Sequence, residues 1–256
     1  MSGRDAWIRR AGVSAQVQVA DDGAVLHAGE RVPEQELLWQ APPHGMVIGV
    51  ALNLCAQLAR LDAALHEQPY VQPPRTPVLF IKPGNTINAH RAPVPMPPGA
   101  KAIQPGAALG VIIGCRSRRV PAAGATSIIK GYTLFNDFSL PETSFFRPPI
   151  PGKCFDGSGC LGPLRVAAAR VPEPQRLVLC TSVNGTLRQK VPLADLAWGI
   201  PALIEFITGF MTLNDNDVIF TGLPDERMNA GPGDEVVVEA DGLGRLCNHV
   251  IAAGVP

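Results

Sequence analysis

The sequence predicts an α+β, β-rich fold, and three observations carry that prediction. Proline and glycine each occur 26 times in 256 residues, where ~5% and ~7% are usual, and such punctuation suits short strands joined by turns. The apolar runs are brief and bounded by turn residues, as in MVIGVALN (46–53), VLFIK (78–82) and ALGVIIG (108–114). Few segments place apolar residues at helical spacing, which argues against a helical bundle.

Taken in chain order, VSAQVQVADDGAVLHAGERV (13–32) alternates apolar and polar residues on both sides of Asp22-Gly23, a hairpin signal and the core of a small N-terminal β element over residues 1–45. From 46 onward the chain reads as one β-rich domain. MVIGVALN is a buried strand, and CAQLARLDAALHEQ (55–68) is a helix with Leu58, Leu61 and Leu65 on one face. A proline-laced stretch leads to the strand VLFIK, and ALGVIIG is a further buried strand. VPAAGATSIIKGYTLFND reads as a short helix entering a strand, and residues 138–165 read as irregular. RLVLCTSVNGTLRQ (176–189) is a hairpin turning at Asn184-Gly185. ADLAWGIPALIEFITGFMTL (194–213) is a helix started or kinked at Pro201, with Leu203, Ile207 and Phe210 on one face. DVIFTG, EVVVEAD and GRLCNHVIA close the chain as strands.

Formal net charge is zero, so there is no electrostatic argument for nucleic acid or an anionic membrane surface. No run approaches the ~18 apolar residues of a membrane span, and the first residues lack the apolar core of a signal peptide. The six cysteines form no C-x-x-C pair and have no histidine at zinc-ligand spacing. The expectation is a cytoplasmic chain with reduced, structural thiols.

One stretch, GYTLFNDFSLPE (131–142), sets a physical problem. Asp137 stands between Phe135 and Phe138 at the end of an apolar strand. A buried carboxylate costs several kcal/mol unless it is paired or metal-bound. Asp137 therefore either opens a surface turn or has a cationic partner.

The ordered segments VALN, VLFIKPGNT, GVIIG, GYTLFNDFSLPE, GKCFDG, NGTLRQ and LNDNDVIFTGLP…GDEVVVEADGLGRLCN resemble the fumarylacetoacetate hydrolase superfamily over roughly residues 46–252. SLPE, and SFFRPPI followed by KCFDG, are similar to one branch, the N-terminal half or first subunit of the 4-hydroxyphenylacetate-pathway bifunctional isomerase/decarboxylase. The resemblance implies a mixed β-roll or barrel-like core with short flanking helices, and a homodimer or a heteromer with a second subunit of the same fold. It also implies Mg²⁺ or another divalent cation acting on unsaturated 2-oxo acids, here 5-oxopent-3-ene-1,2,5-tricarboxylate or 2-hydroxyhepta-2,4-dienedioate. A Lewis acid and a nearby ammonium would stabilise the enolate formed by decarboxylation or proton transfer.

Carried over residue by residue, the resemblance is incomplete. Asp137 matches one metal ligand, but the two expected glutamates fall on Gly106 and Ala108, which offer no donor side chain. Tight metal binding is therefore not expected. Lys153 matches the active-site lysine, and its ammonium is expected within ~6 Å of Asp137, where it can take over part of the cation's role. The alternative is that both residues lie exposed in loops. Lys82, Arg147 and Thr221 are the substrate-binding candidates, Lys82 and Arg147 reading equally as structural. Gln57 and Arg60 replace the lid's acid–base pair, Pro141 replaces an arginine, and Leu223 replaces a threonine. His90 faces the cleft or lies in a surface turn, and the other four histidines have no constellation around them. Two readings follow: an isomerase/decarboxylase of this pathway, or a metal-poor partner of a subunit that keeps its glutamates.

Overall fold

Residues 129–137, IKGYTLFND, form the central strand of the molecule, and the rest of the fold is built outward from it. The computed structural model describes residues 3–10, 12–33, 36–142, 150–224 and 226–253. Their strands are β1 (Arg4–Arg10), β2 (Val13–Val19), β3 (Val25–His27), β4 (Glu30–Arg31), β5 (Leu38–Gln40), β6 (Val47–Ala51), β7 (Val78–Lys82), β8 (Ile87–Asn88) and β9 (Pro93–Pro95). They continue with β10 (Ala107–Ile113), β11 (Ile129–Asp137), β12 (Gly159–Ala167), β13 (Val178–Val183), β14 (Thr186–Pro192), β15 (Val218–Phe220), β16 (Glu235–Ala240) and β17 (Gly244–Ile251). Three α-helices join them: α1 (Cys55–Leu65), α2 (Ile150–Lys153) and α3 (Ile200–Phe210).

The larger sheet runs β4-β3-β2-β1-β12-β11-β10-β15-β6-β7, with β5 beside β1 and β8 beside β12. The smaller runs β14-β13-β16-β17-β9 and lies against β10, β11 and β12. Neither path closes on itself, so the core is a roll of two open sheets. The N-terminal strands enter the larger sheet through β1, where Arg4 pairs with Val166 and Ala6 with Leu164.

Both faces of β10 and β11 are covered, which is why they read as continuous apolar runs rather than as alternation. Successive side chains of a strand point to opposite faces. Leu109, Val111, Tyr132 and Leu134 face one cluster with Leu179, Val236, Val238 and Leu246. Ala108, Ile112 and Phe135 face a second with Leu161, Val218, Phe220 and Leu223. Each such leucine, isoleucine or phenylalanine contributes about 1.5–3 kcal/mol by leaving water.

Local signals set the element ends. At Asn184-Gly185 the backbone is left-handed at both residues (φ 50° and 74°), the type I′ turn that matches strand twist. The α3 helix begins with Pro201 in its first turn, where a missing N–H costs nothing. The first turn of α1 is capped from afar: the Ala56 N–H donates to the Asp195 carboxylate at 3.1 Å.

Two expectations need correction. Residues 138–165 are not irregular throughout, because β12 begins at Gly159 and lies between β11 and β1. Gly159, Gly162 and Pro163 mask its pattern, and its strand state comes from pairing on both sides rather than from propensity. Phe210 is exposed, while Leu203, Ile204 and Ile207 form the buried face of α3.

Candidate active site

The strand parity of β11 decides where Asp137 points. Phe135 and Asp137 share one face, and on β10 Ala108 lies opposite Phe135. The Asp137 N–H donates to the Gly106 carbonyl at 2.9 Å, which places position 106 beside Asp137. Residues 106, 108, 135 and 137 therefore line one patch. Its floor is aromatic: Phe135 stacks on Phe220 with centroids 4.3 Å apart, and Phe80 meets Phe220 edge-on at 5.3 Å. Gly49 makes that approach possible, since a β-carbon there would stand 2.2 Å from Phe220 and 2.4 Å from Phe80.

Asp137 is fully buried and has two cationic partners. Its Oδ2 lies 2.8 Å from Lys153 Nζ and its Oδ1 lies 2.8 Å from Lys82 Nζ. Lys82, at the end of β7, also donates to Ser158 Oγ at 2.9 Å and to the Lys153 carbonyl. Lys153 closes α2, and its ammonium sits 5.0 Å over the Phe80 ring. Burial pushes the Asp137 carboxyl up, but the Lys153 and Lys82 charges together outweigh it and hold its pKa down at about 2.

The outer layer is a second pair. Glu142 Oε1 lies 3.5 Å from Lys153 Nζ, and its Oε2 accepts a hydrogen bond from Arg227 Nη2 at 2.5 Å. Gln104 ties the Arg227 segment down by donating to the Arg227 carbonyl at 3.3 Å and to Asn229 Oδ1 at 3.0 Å. Asn53 anchors the opposite wall through the Trp198 and Thr221 carbonyls. Between these groups is a cavity of about 50 Å³ lined by Ala51, Leu52, Gln57, Gln104, Glu142, Lys153, Leu223, Pro224 and Arg227. On this measure a single water needs only ~10–15 Å³, so a carboxylate-sized group fits.

Asp137 and Lys153, expected to be near each other, are in contact, and Lys153 lines the cavity. Lys82 is wholly buried and contacts Asp137 rather than the cavity. Thr221 is buried beside the cavity wall, its hydroxyl without a hydrogen-bond partner among the described residues. Arg147 lies outside the described residues.

His90 does not line this cavity; it lies in a turn, closed by the Ala92 N–H donating to the Ala89 carbonyl at 3.2 Å, with its side chain turned inward. It is buried, its Nδ1 accepts the Cys247 N–H at 3.0 Å, and burial with the nearby Arg91 and Arg245 charges lowers its pKa to about 4. His249 does have neighbours, since the β16–β17 register pairs it with Glu235 and puts Cys247 on the same face. Ligand atoms of these three lie within 4.8 Å of one another, but Arg91 and Arg245 line the same depression and oppose a cation.

Glu142 and Arg227 escaped the sequence reading. Glu142 ends the quoted SLPE and is a carboxylate in plain view. Arg227 lies in the unassigned gap between TGLP and GDEVVV, where no periodicity marks it.

Comparison with known proteins bears on the family and the fold. Residues 46–251 match the model described as fumarylacetoacetate (FAA) hydrolase C-terminal. The chain is 39% identical over 208 residues to the 4-hydroxyphenylacetate degradation bifunctional isomerase/decarboxylase of Salmonella dublin, covering 81% of this chain and 47% of that protein. It thus spans about half the length of the bifunctional isomerase/decarboxylases it matches. The crystal structure of 5-carboxymethyl-2-hydroxymuconate delta-isomerase from Mycobacterium smegmatis superposes with a TM-score of 0.84 at 29% identity, over 98% of this chain and 100% of that one. Fumarylpyruvate hydrolase from Pseudomonas aeruginosa, solved with Mn²⁺ and pyruvate, shares the fold with a TM-score of 0.71 at 24% identity, over 83% of this chain and 92% of that one. Since the family model spans residues 46–251 and the sequence is 39% identical to a relative over 81% of its length, this chain belongs to the fumarylacetoacetate hydrolase family.

Proposed function

We propose that this chain is an isomerase/decarboxylase of 4-hydroxyphenylacetate (homoprotocatechuate) catabolism. Its substrates would be 5-oxopent-3-ene-1,2,5-tricarboxylate and 2-hydroxyhepta-2,4-dienedioate, and it would work by stabilising an enolate. The observation that carries this reading is the Lys153 ammonium, fixed by Asp137 at 2.8 Å and lining the cavity. In decarboxylation the C–CO₂⁻ bond breaks, its electron pair moves along the conjugated system to the 2-oxygen, and a proton is added at carbon. In tautomerisation a proton leaves the 2-hydroxyl and another is added at a diene carbon. Both pass through negative charge on the 2-oxygen, which a preorganised ammonium above an aromatic floor stabilises. Glu142 is the carboxylate that lines the cavity and can carry the proton.

The donor set does not fit a tightly held divalent cation. Mg²⁺ wants near-octahedral oxygen ligation anchored by carboxylates. Here each Asp137 oxygen already faces an ammonium, and positions 106 and 108 carry no donor side chain. We therefore assign the charge stabilisation to the chain's own cations. As it spans about half the length of its bifunctional relatives, the chain is proposed to pair with itself or with a second subunit of the same fold, in the cytoplasm.

The test is turnover of 2-hydroxyhepta-2,4-dienedioate by the purified chain in excess EDTA, followed by loss of diene absorbance. Turnover that falls a hundredfold or more in Lys153→Met supports the proposal. The absent donor side chains at 106 and 108 favour a second reading, a quiet partner that supports a metal-binding subunit. No turnover alone, with turnover restored only by that subunit and unaffected by Lys153→Met, would establish it.

A further inference from the structure

The Arg227 side chain is almost entirely buried, yet among the described residues only one of its side-chain nitrogens has a partner. Nη2 serves Glu142, while Nε and Nη1 have no hydrogen-bond partner among the described residues. A buried guanidinium with idle donors is costly, and Arg227 lines the cavity that Lys153 also lines. Its Nη1 lies 3.4 Å from where a β-carbon at position 106 would stand, so the guanidinium packs close against the bare Gly106 backbone. Gln57 lines the same cavity, and its Oε1 likewise has no hydrogen-bond partner among the described residues.

The charge count points the same way. Lys82, Lys153 and Arg227 surround only Asp137 and Glu142, three cations to two carboxylates among the described residues. Both Asp137 oxygens face lysine ammoniums. Glu142 reaches Lys153 only at 3.5 Å, so the surplus positive charge lies on the cavity side. The pocket is complementary to an anion the size of a carboxylate, and planar guanidinium donors suit that group.

We propose that Arg227, with Lys153, forms a carboxylate-binding cradle for the 2-oxo-acid head of the substrate, and that this cradle works without a divalent cation. The inference deepens the proposed function and rests on it for the identity of the substrate. The binding of a small dianion tests it separately from turnover.

The experiment is calorimetric titration of the chelator-treated chain with oxalate in EDTA, repeated with pyruvate. Wild type is expected to bind oxalate, and Glu142→Gln to bind it as well or more tightly, because a competing carboxylate is gone. Arg227→Met combined with Glu142→Gln removes both charges of the outer pair, which avoids stranding a buried carboxylate, and is expected to bind at least tenfold more weakly than Glu142→Gln alone. Arg227→Lys is expected to restore part of the loss. Equal binding in the double variant and in Glu142→Gln would overturn the cradle, as would wild-type binding that appears only after Mg²⁺ or Mn²⁺ is added. Turnover failing while oxalate binding still depends on Arg227 would sink the proposed function and leave the cradle standing.

Discussion

The Asp137 carboxylate is shared between two lysines, with Oδ1 and Oδ2 each 2.8 Å from an ammonium nitrogen of Lys82 or Lys153. The three residues come from the ends of β7, β11 and α2, so the centre also ties three separate parts of the chain together. Removing one partner from a buried ion pair costs about 3–5 kcal/mol, because the remaining charge is stranded. Lys82→Met is therefore expected to lower urea-unfolding stability by roughly that amount. Adding Asp137→Asn to Lys82→Met should recover part of the loss, and strictly additive losses in this double-mutant cycle would refute the coupling.

The same pair sets an acid limb to the stability curve. The Asp137 pKa is depressed in the folded state to about 2 from 3.8, so its contribution is fully present above pH ~4 and is lost as pH falls towards 2. The shift corresponds to about 2–3 kcal/mol. Unfolding free energy measured by denaturant titration at successive pH values should drop across that window. Asp137→Asn, lacking the titrating group, should show a shallower drop; parallel curves would contradict the assignment.

Metal affinity separates this chain from a metal-dependent centre. Titration of the chelator-stripped protein with Mg²⁺ and then Mn²⁺ is expected to show no binding tighter than about 1 mM, since a single carboxylate already paired twice attracts a cation weakly. Micromolar binding would return the metal to the mechanism.

Position 106 has little room. A methyl group there would lie 3.0 Å from the Asp137 carbonyl oxygen, 3.1 Å from Leu223 Cδ2 and 3.4 Å from Arg227 Nη1. Gly106→Ala is expected to cost about 1–3 kcal/mol by overpacking. It should also weaken oxalate binding by displacing the guanidinium. Unchanged affinity alongside the stability loss would mean that Arg227 does not depend on this space.

A distant control uses the Asn184-Gly185 turn. Gly185 has φ of 74° and open space around its Cα, so Gly185→Ala meets no steric neighbour. Only the left-handed backbone penalises it, by about 1–2 kcal/mol. Its melting temperature should fall while turnover per folded molecule stays at the wild-type level.

The sequence by itself determined the elements whose cause is local. The turn at Asn184-Gly185, the start of α3 at Pro201 and the strands that form β6, β7, β10 and β11 follow from backbone preferences and apolar runs a few residues long. It also marked Asp137 and Lys153, because a carboxylate among phenylalanines demands a partner and the family pattern supplied one. Only the tertiary structure could reveal β12, whose strand state comes from its neighbours on both sides, and the burial of Lys82, which depends on where the end of β7 meets Ser158. The Glu142–Arg227 pair, 85 residues apart in sequence, belongs to the same class. Charges find each other across folded space, and no spacing along the chain encodes the distance between them.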